Sequence, residues 1–262
     1  MASFSYLLRG DNLPTVGVLQ LLLNRSGAGL KVDGNFGQRT EEAVMRFQAQ
    51  RRLQDDGIVH KATWERLLFR DQWQILDVVD VFHDMIYDLK RMEIIQSGGD
   101  TLDYGGMSNA LSQLGEDLRS VRGLGLLRMT GHGAAGIQAL SMGLGGYHGT
   151  KKDGTPGVIW YPHQTTSLNA RNIATIPAAA LRASFGAYGS MELHGCHVAN
   201  GPKGHMFVRD LANRIGVPVT AGVDSQRTAL HFDGQTFTAI PRGGTLASWC
   251  HGLKPFTPVS VP

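Results

Sequence analysis

A compact turn is written twice in the first 70 residues, and it limits what that stretch can fold into. Asp33-Gly34-Asn35-Phe36-Gly37 leads to Thr40, Glu42 and Ala43, which open a helix. Asp55-Asp56-Gly57 leads to Thr63, which caps a second helix carrying Trp64, Leu67 and Leu68. Ahead of both, Val16, Leu19, Leu22 and Leu23 recur at helical spacing until Gly27-Ala28-Gly29 ends the run. The helix after the first turn carries Ala43, Val44 and Phe47, with Leu53 after a break. The stretch therefore reads as helix, loop, helix, loop, helix.

The order Val16-x-x-Leu19-Gln20, then Asp33 to Thr40, then Ala43 to Gln48, then Asp56 to Thr63 resembles the small three-helix peptidoglycan-binding module. Arg52 stands where that family has Gly before Leu53, and His60 replaces its Gly after Val59. Both departures fall in one loop and bear on ligand preference. The resemblance implies a peptidoglycan-binding domain over residues 1–70, taking glycan strands or stem peptides in a surface groove and carrying no catalytic group.

Residues 71–262 are expected to form a second domain. Residues 71–92 read as one further helix, a connector or the first helix of that domain. Its apolar face would hold Trp73, Leu76, Val79, Phe82, Met85, Ile86 and Leu89, although Val78, Val79 and Val81 also allow a strand. From residue 92 strands and helices alternate. Strands are expected at 94–95, 124–130, 158–161, 191–194 and 218–221, and helices at 107–118, 176–182 and 204–215. A hairpin at 229–241 turns at Asp233-Gly234, and a Gly-rich excursion fills 131–157. This alternation predicts an α/β domain with a mostly parallel sheet and helices on both faces, whose chemistry sits at the carboxyl ends of the strands.

Two of those ends carry reactive residues. One strand runs into Thr130-Gly131-His132-Gly133, another into Leu193-His194-Gly195-Cys196-His197. A thiol attacks as thiolate and needs a base or a positive neighbour, and flanking glycines let the chain turn sharply and a substrate approach closely. A helix following Cys196 would add partial positive charge, and backbone N–H groups near Gly133 and Cys196 are placed to receive an oxyanion. The pair resembles the cysteine peptidases that include caspases, legumains and gingipains. A closer likeness is to an uncharacterised bacterial caspase-like family, through Gly195-Cys196-His197-Val198-Ala199-Asn200-Gly201, Phe207-Val208 with Leu211-Ala212, and Ala221-Gly222-Val223-Asp224. The resemblance spans roughly residues 92–245. It implies His132 as general base, Cys196 as nucleophile and Gly133 at the oxyanion, with no cofactor. Asp224 either lines the pocket for a basic or diamino acid residue of the substrate or caps the turn it begins. Arg128 and Glu192 lie four residues before His132 and Cys196, so neighbouring strands in that register would bring them together as a buried ion pair.

Rival readings stay open. His194, Cys196, His197 and His205 form an N/S cluster of the kind zinc takes, which would make the chain a zinc-dependent wall amidase. A non-catalytic wall-binding adaptor on the same scaffold is the other. Cys250 is the only further cysteine, so a disulfide framework is excluded while one bridge or two free thiols are not. A net charge of +3 suits an anionic wall and, without a Lys/Arg cluster, gives no footprint for nucleic acid. Residues 1–10 lack a secretory signal, and the apolar run at 16–23 is too short to span a bilayer. The expectation is a protein made in the cytoplasm and acting in the periplasm or wall, as a phage lysis protein or an injected antibacterial toxin. Its partners would be peptidoglycan, a peptide or protein substrate, and a secretion machine or cognate immunity protein.

Overall fold

The computed structural model describes residues 4–68, 73–81, 85–105, 107–141, 146–160 and 166–256. Its N-terminal part is three helices, α1 (Pro14–Arg25), α2 (Gln38–Gln50) and α3 (Lys61–Leu68). Each connecting turn is held by a glutamine from the helix before it. The Gln20 amide nitrogen lies 3.0–3.2 Å from Asp33 Oδ1, Asn35 O and Thr40 Oγ1, while its Oε1 accepts the N–H groups of Asp33 and Gly34. Gln48 repeats the arrangement with Asp56 Oδ1, Ile58 O and Thr63 Oγ1, and accepts from Gly57 N–H. Gly34 and Gly57 have φ of 78° and 75°, the left-handed conformation that glycine takes at no steric cost. The two Asp-Gly turns are thus one device used twice.

The chain continues as β1 (Gln74–Asp80), α4 (Met85–Gln96), β2 (Thr101–Tyr104), α5 (Ala110–Asp117), β3 (Leu124–Thr130), β4 (Gly133–Ala134), β5 (Ile137–Ala139), β6 (Gly146–Thr150), β7 (Pro156–Trp160), β8 (Ser167–Asn169), α6 (Ala178–Ser184), β9 (Phe185–Leu193), α7 (Gly201–Ile215), β10 (Val219–Gly222), β11 (Thr236–Ala239) and α8 (Leu246–His251). Six strands form one sheet in the order β11-β10-β9-β3-β1-β2, parallel throughout except for β11. The chain leaves β1 through α4 to one side and returns through α5 to β3 on the other. The carboxyl ends of β1 and β3 therefore flank the switch point of the sheet, where α/β folds open a crevice.

Period-two alternation sorts the sheet's side chains between two cores. Val78, Leu127, Met129, Met191 and Leu193 pack with α5, α6 and α7 through Leu114, Leu181, Phe207 and Leu211. Ile75 and Leu126 face the other way and join a core made largely by the N-terminal helices, with Val16, Leu22, Trp64, Phe232 and Phe256. The three-helix module is one of the two layers covering the sheet.

Three expectations need correction. Residues 71–92 are not one helix: β1 occupies 74–80 and α4 starts at Met85. The β-branched residues Ile75, Val78 and Val79 fit a strand paired on both sides, and Leu89, assigned to a buried helical face, is 65% exposed. Residues 94–95 are the last turn of α4 rather than a strand, and Gly98 at φ 89° closes that helix, with Gly99 N–H returning to Ile94 O. The hairpin expected within 229–241 forms between β10 and β11 instead, around a long loop at 223–235. Phe82 and Tyr161 lie outside the described residues, as does the expected domain boundary at 70.

Candidate functional site

β3 and β9 are neighbours, with Arg128 opposite Glu192 and Met129 opposite Leu193. His132 and Cys196 therefore leave adjacent strands at the same level. After His132 the chain turns into the β4–β5 hairpin, which folds over the loop that follows β9. Ala139 N–H donates to His132 O at 2.8 Å, and Gly136 N–H donates to Val198 O at 2.9 Å. Gln138 is fully buried between the two loops, its Oε1 accepting Gly195 N–H at 2.8 Å and its amide donating to Ala139 O at 3.0 Å. Gly133 lies directly on the Gly195-Cys196 peptide, for a Cβ there would fall 2.6–2.8 Å from Cys196 O, Gly195 C and Cys196 N. Only glycine lets the loops approach so closely.

Cys196 is partly exposed and is not disulfide-bonded. Its Sγ lies 3.4 Å from Gln226 N, which donates to it, and 3.8 Å from Gln226 O. The same carbonyl accepts from Lys90 Nζ at 2.9 Å. Lys90, on α4, is buried; burial pulls its pKa down against the opposing pull of Cys196, Asp233 and Glu93. The helix expected directly after Cys196 begins only at Gly201, so the thiol sits in a turn ahead of it. His197, next along, takes a left-handed φ of 58° and is held by Val223 O, Ser225 Oγ and Asp224 O. Asp224 is exposed, and its Oδ2 accepts Gln235 N–H at 2.9 Å, a bond that closes the 223–235 loop.

Beneath these loops lies a buried charged layer. Arg128 is fully buried, with Nε 3.7 Å from Glu192 Oε2, as the strand register predicted, and Nη1 3.2 Å from Asp77 Oδ1, which it did not. Its Nη2 donates to Ser5 Oγ, and Thr15 Oγ1 donates to Glu192, both from the N-terminal module. His194 Nε2 lies 3.2 Å from the same Glu192 oxygen, Oε2, that faces Arg128, and its ring stacks on Phe232. Burial pushes the Glu192 carboxyl up, but the His194 bond, the charges of His194 and Arg128 and the Thr15 hydroxyl outweigh it and hold it low. Burial pulls His194 down to about 4, so its ring is neutral at pH 7.

The expected N/S cluster does not assemble. His194 points into the charged layer, His197 into the 223–235 loop, and His205 stacks on Phe237. Among the described residues, no group of three or more His, Cys, Asp or Glu side chains is placed to hold a metal ion. Cys250 is a packing residue: it fills the space over Gly17 of α1, and burial pushes its thiol up to about 12. Lys90, Gln138 and Gln226 were not singled out from the sequence.

A separate groove of about 590 Å³ lies between α5 and α6, lined by Glu116, Arg119 and Arg122. On the module, a groove of about 580 Å³ runs between α1 and the start of α2, lined by Lys31, Asp33, Asn35, Arg39 and Glu42. No described helix is long and apolar enough to cross a membrane.

Residues 12–67 match the family model described as Putative peptidoglycan binding domain, and residues 152–229 match a domain of unknown function, DUF4347. Among solved structures the chain is similar to a peptidoglycan-binding protein from Clostridioides difficile, crystallised in complex with glutamine hydroxamate. The likeness covers 26% of this chain and 42% of that one, at 31% identity and a TM-score of 0.25. The N-terminal match supports association with the cell wall.

Proposed function

We propose that this chain is a cysteine hydrolase of the caspase-like kind, held at the cell wall by its N-terminal module and cleaving peptide bonds. The observation that carries the reading is the contact between the two loops: His132-Gly133 after β3 rests on Gly195-Cys196 after β9, at the carboxyl edge of a parallel sheet and beside its switch point. In this reading the Cys196 sulfur attacks the scissile carbonyl while backbone N–H groups at Gly133 and Cys196 receive the oxyanion. The His132 ring takes the thiol proton as the sulfur attacks, gives it to the leaving amine, then takes a proton from the water that releases the acyl group and returns it to the sulfur. Asp224, exposed on the loop that also carries Gln226, gives that side of the cleft an acidic rim, which favours a basic or diamino acid residue in the substrate.

The groove on the module mixes amide, ammonium, guanidinium and carboxylate groups, a set suited to the amides and charged ends of peptide stems. The substrate is then an envelope protein or the stems themselves. The chain acts as a phage lysis protein or a contact-delivered antibacterial effector, the latter with an immunity protein as partner. The test is incubation of wild type, Cys196→Ala and His132→Ala with purified sacculi and with a protein mixture, reading new termini by mass spectrometry. Wild type should generate them and Cys196→Ala should not. Cleavage by Cys196→Ala at the wild-type rate would overturn the proposal.

A further inference from the structure

The chain leaves the β9–β10 ladder at a single amide. In a parallel pair every second N–H of a strand donates to the same neighbour. Met191 N–H donates to Pro218 O at 2.9 Å, and the pairing runs on to Leu193 opposite Ala221. The next N–H on that side is that of Gly195, and in the same register its acceptor would be Gly222 O. That carbonyl accepts Ala199 N–H at 3.0 Å instead, and Gly195 N–H turns to Gln138 Oε1 at 2.8 Å. The Gly195-Cys196 peptide that follows takes its orientation from this bond. Gln138 lies on β5, 57 residues earlier in the chain, and carries none of the motifs that mark His132 and Cys196.

Gln138 holds both loops, one by its main chain and the other by its side chain. Its main chain pairs opposite Gly133 across the β4–β5 hairpin, and the adjacent Ala139 N–H holds His132 O at 2.8 Å. Its buried side chain fills the room left by the glycines that precede the two reactive residues. A Cβ on Gly195 would lie 2.7 Å from its Oε1, and one on Gly131 would lie 3.4 Å from its Nε2. We propose that Gln138 is a positioning residue for the oxyanion: it sets the placement of the Gly133 N–H relative to the Cys196 N–H. The inference rests on the reading of Cys196 as nucleophile, and Gln138 itself touches no reacting atom. Oxyanion donors act only within about 2.7–3.1 Å of the charged oxygen, so a slip of about 1 Å between the loops would take one of them out of use. A glutamine suits this place because it is neutral. It accepts from Gly195 N–H and donates to Ala139 O at 3.0 Å without setting a charge beside the developing anion.

The test compares two reactions of the Cys196 sulfur in the full chain, both read at the peptide level by mass spectrometry. Acetylation by p-nitrophenyl acetate passes through a tetrahedral oxyanion, whereas alkylation by iodoacetamide occurs at a saturated carbon and forms none. Gln138→Met, similar in length but without the amide, should acetylate Cys196 about tenfold more slowly and alkylate it at the wild-type rate. Loss of an oxyanion donor outright costs about a hundredfold, and here the donors are displaced rather than removed. Gln138→Glu keeps an oxygen on Gly195 N–H and should recover most of the lost acetylation. A merely structural role would move both reactions together or neither. An unchanged ratio of the two rates in Gln138→Met would overturn the proposal. So would a Gln138→Glu chain that alkylates normally but acetylates at less than about a tenth of the wild-type rate, an outcome readable even if Gln138→Met does not fold. Wild type whose ratio is no higher than that of a cysteine peptide would reject the hydrolase reading and the role of Gln138 with it. A raised wild-type ratio that survives in Gln138→Met would reject Gln138 alone.

Discussion

Arg128 is the residue on which the sheet's charged layer turns. A buried guanidinium costs several kcal/mol to desolvate, and here that cost is offset by two carboxylates, Asp77 and Glu192, from the strands on either side. Removing the cation leaves both carboxylates uncompensated. Arg128→Met should therefore lower stability by about 3–5 kcal/mol in urea denaturation, and by more than Glu192→Gln, which spares the Asp77 contact. A shift under about 1 kcal/mol would mean that the pair contributes little. His194 adds a pH dependence of definite sign. Its pKa falls from 6.5 to about 4 on folding, so within that window the unfolded chain binds a proton that the native chain does not. Stability is thus complete above about pH 6.5 and declines as the pH drops toward 4, with the depressed Glu192 extending the loss to lower pH. A pH series of melting temperatures should show this decline in wild type and a flatter one in His194→Gln. At this scale the sequence was legible in placement: the glycine-flanked His132 and Cys196 do follow neighbouring parallel strands. Gln138 and Gln226 were not legible, because their contacts span 57 and 30 residues and exist only once the loops have folded over one another.

Among elements, the clearest correspondence is the doubled turn of the N-terminal module. Asp-Gly and the following Thr announced both turns, and Gln20 and Gln48 supply the hydrogen bonds that close them. The amide of Gln48 is buried, so Gln48→Leu strands Gly57 N–H and Ile58 O without their partner. Each buried group left unpaired costs about 1–3 kcal/mol, and the variant should lose about 2–4 kcal/mol in chemical denaturation. Gln48→Glu keeps the acceptor for Gly57 N–H and should lose less. The region 71–96 was misread for a physical reason. Its apolar residues satisfy a helical period across a segment that is partly strand, and Asp77 and Asp80, which look like the polar face of a helix, are buried in β1. The partner of Asp77 is Arg128 on β3, so its burial could not be inferred from neighbours in sequence. Tertiary pairing on both sides of β1 decides the conformation, and local periodicity does not.

At the scale of the whole molecule, the module and the sheet share one core. Trp64 of α3 stacks on Trp73 just ahead of β1 at 5.1 Å, and its indole N–H donates to Ser5 O. Tyr6 N–H donates to Leu230 O, and Asp11 pairs with His231 at 3.0 Å, both on the loop that holds Gln226 against the thiol. Ser5 and Thr15 complete the bonding of Arg128 and Glu192. Without the module, residues 71–262 would expose Trp73, Ile75 and Leu126 and open the charged layer to water. Water would then compete for each ion pair while the apolar surface lost its cover, and the two losses reinforce each other. The full chain should accordingly unfold in one calorimetric transition, whereas the isolated 71–262 fragment should show no cooperative melt and should bind a hydrophobic dye. The Asp11–His231 contact adds a weaker, pH-dependent clasp. The bond from Asp11 raises the His231 pKa above its usual 6.5 against the effect of burial, so its contribution is present at lower pH and fades as the pH rises through the raised value. His231→Gln should therefore lower the melting temperature at pH 6 and leave it unchanged at pH 9. Two separate transitions in the wild-type chain, or a cooperative melt of the fragment matching the full chain, would show that the module is a tethered anchor and not a layer of the fold.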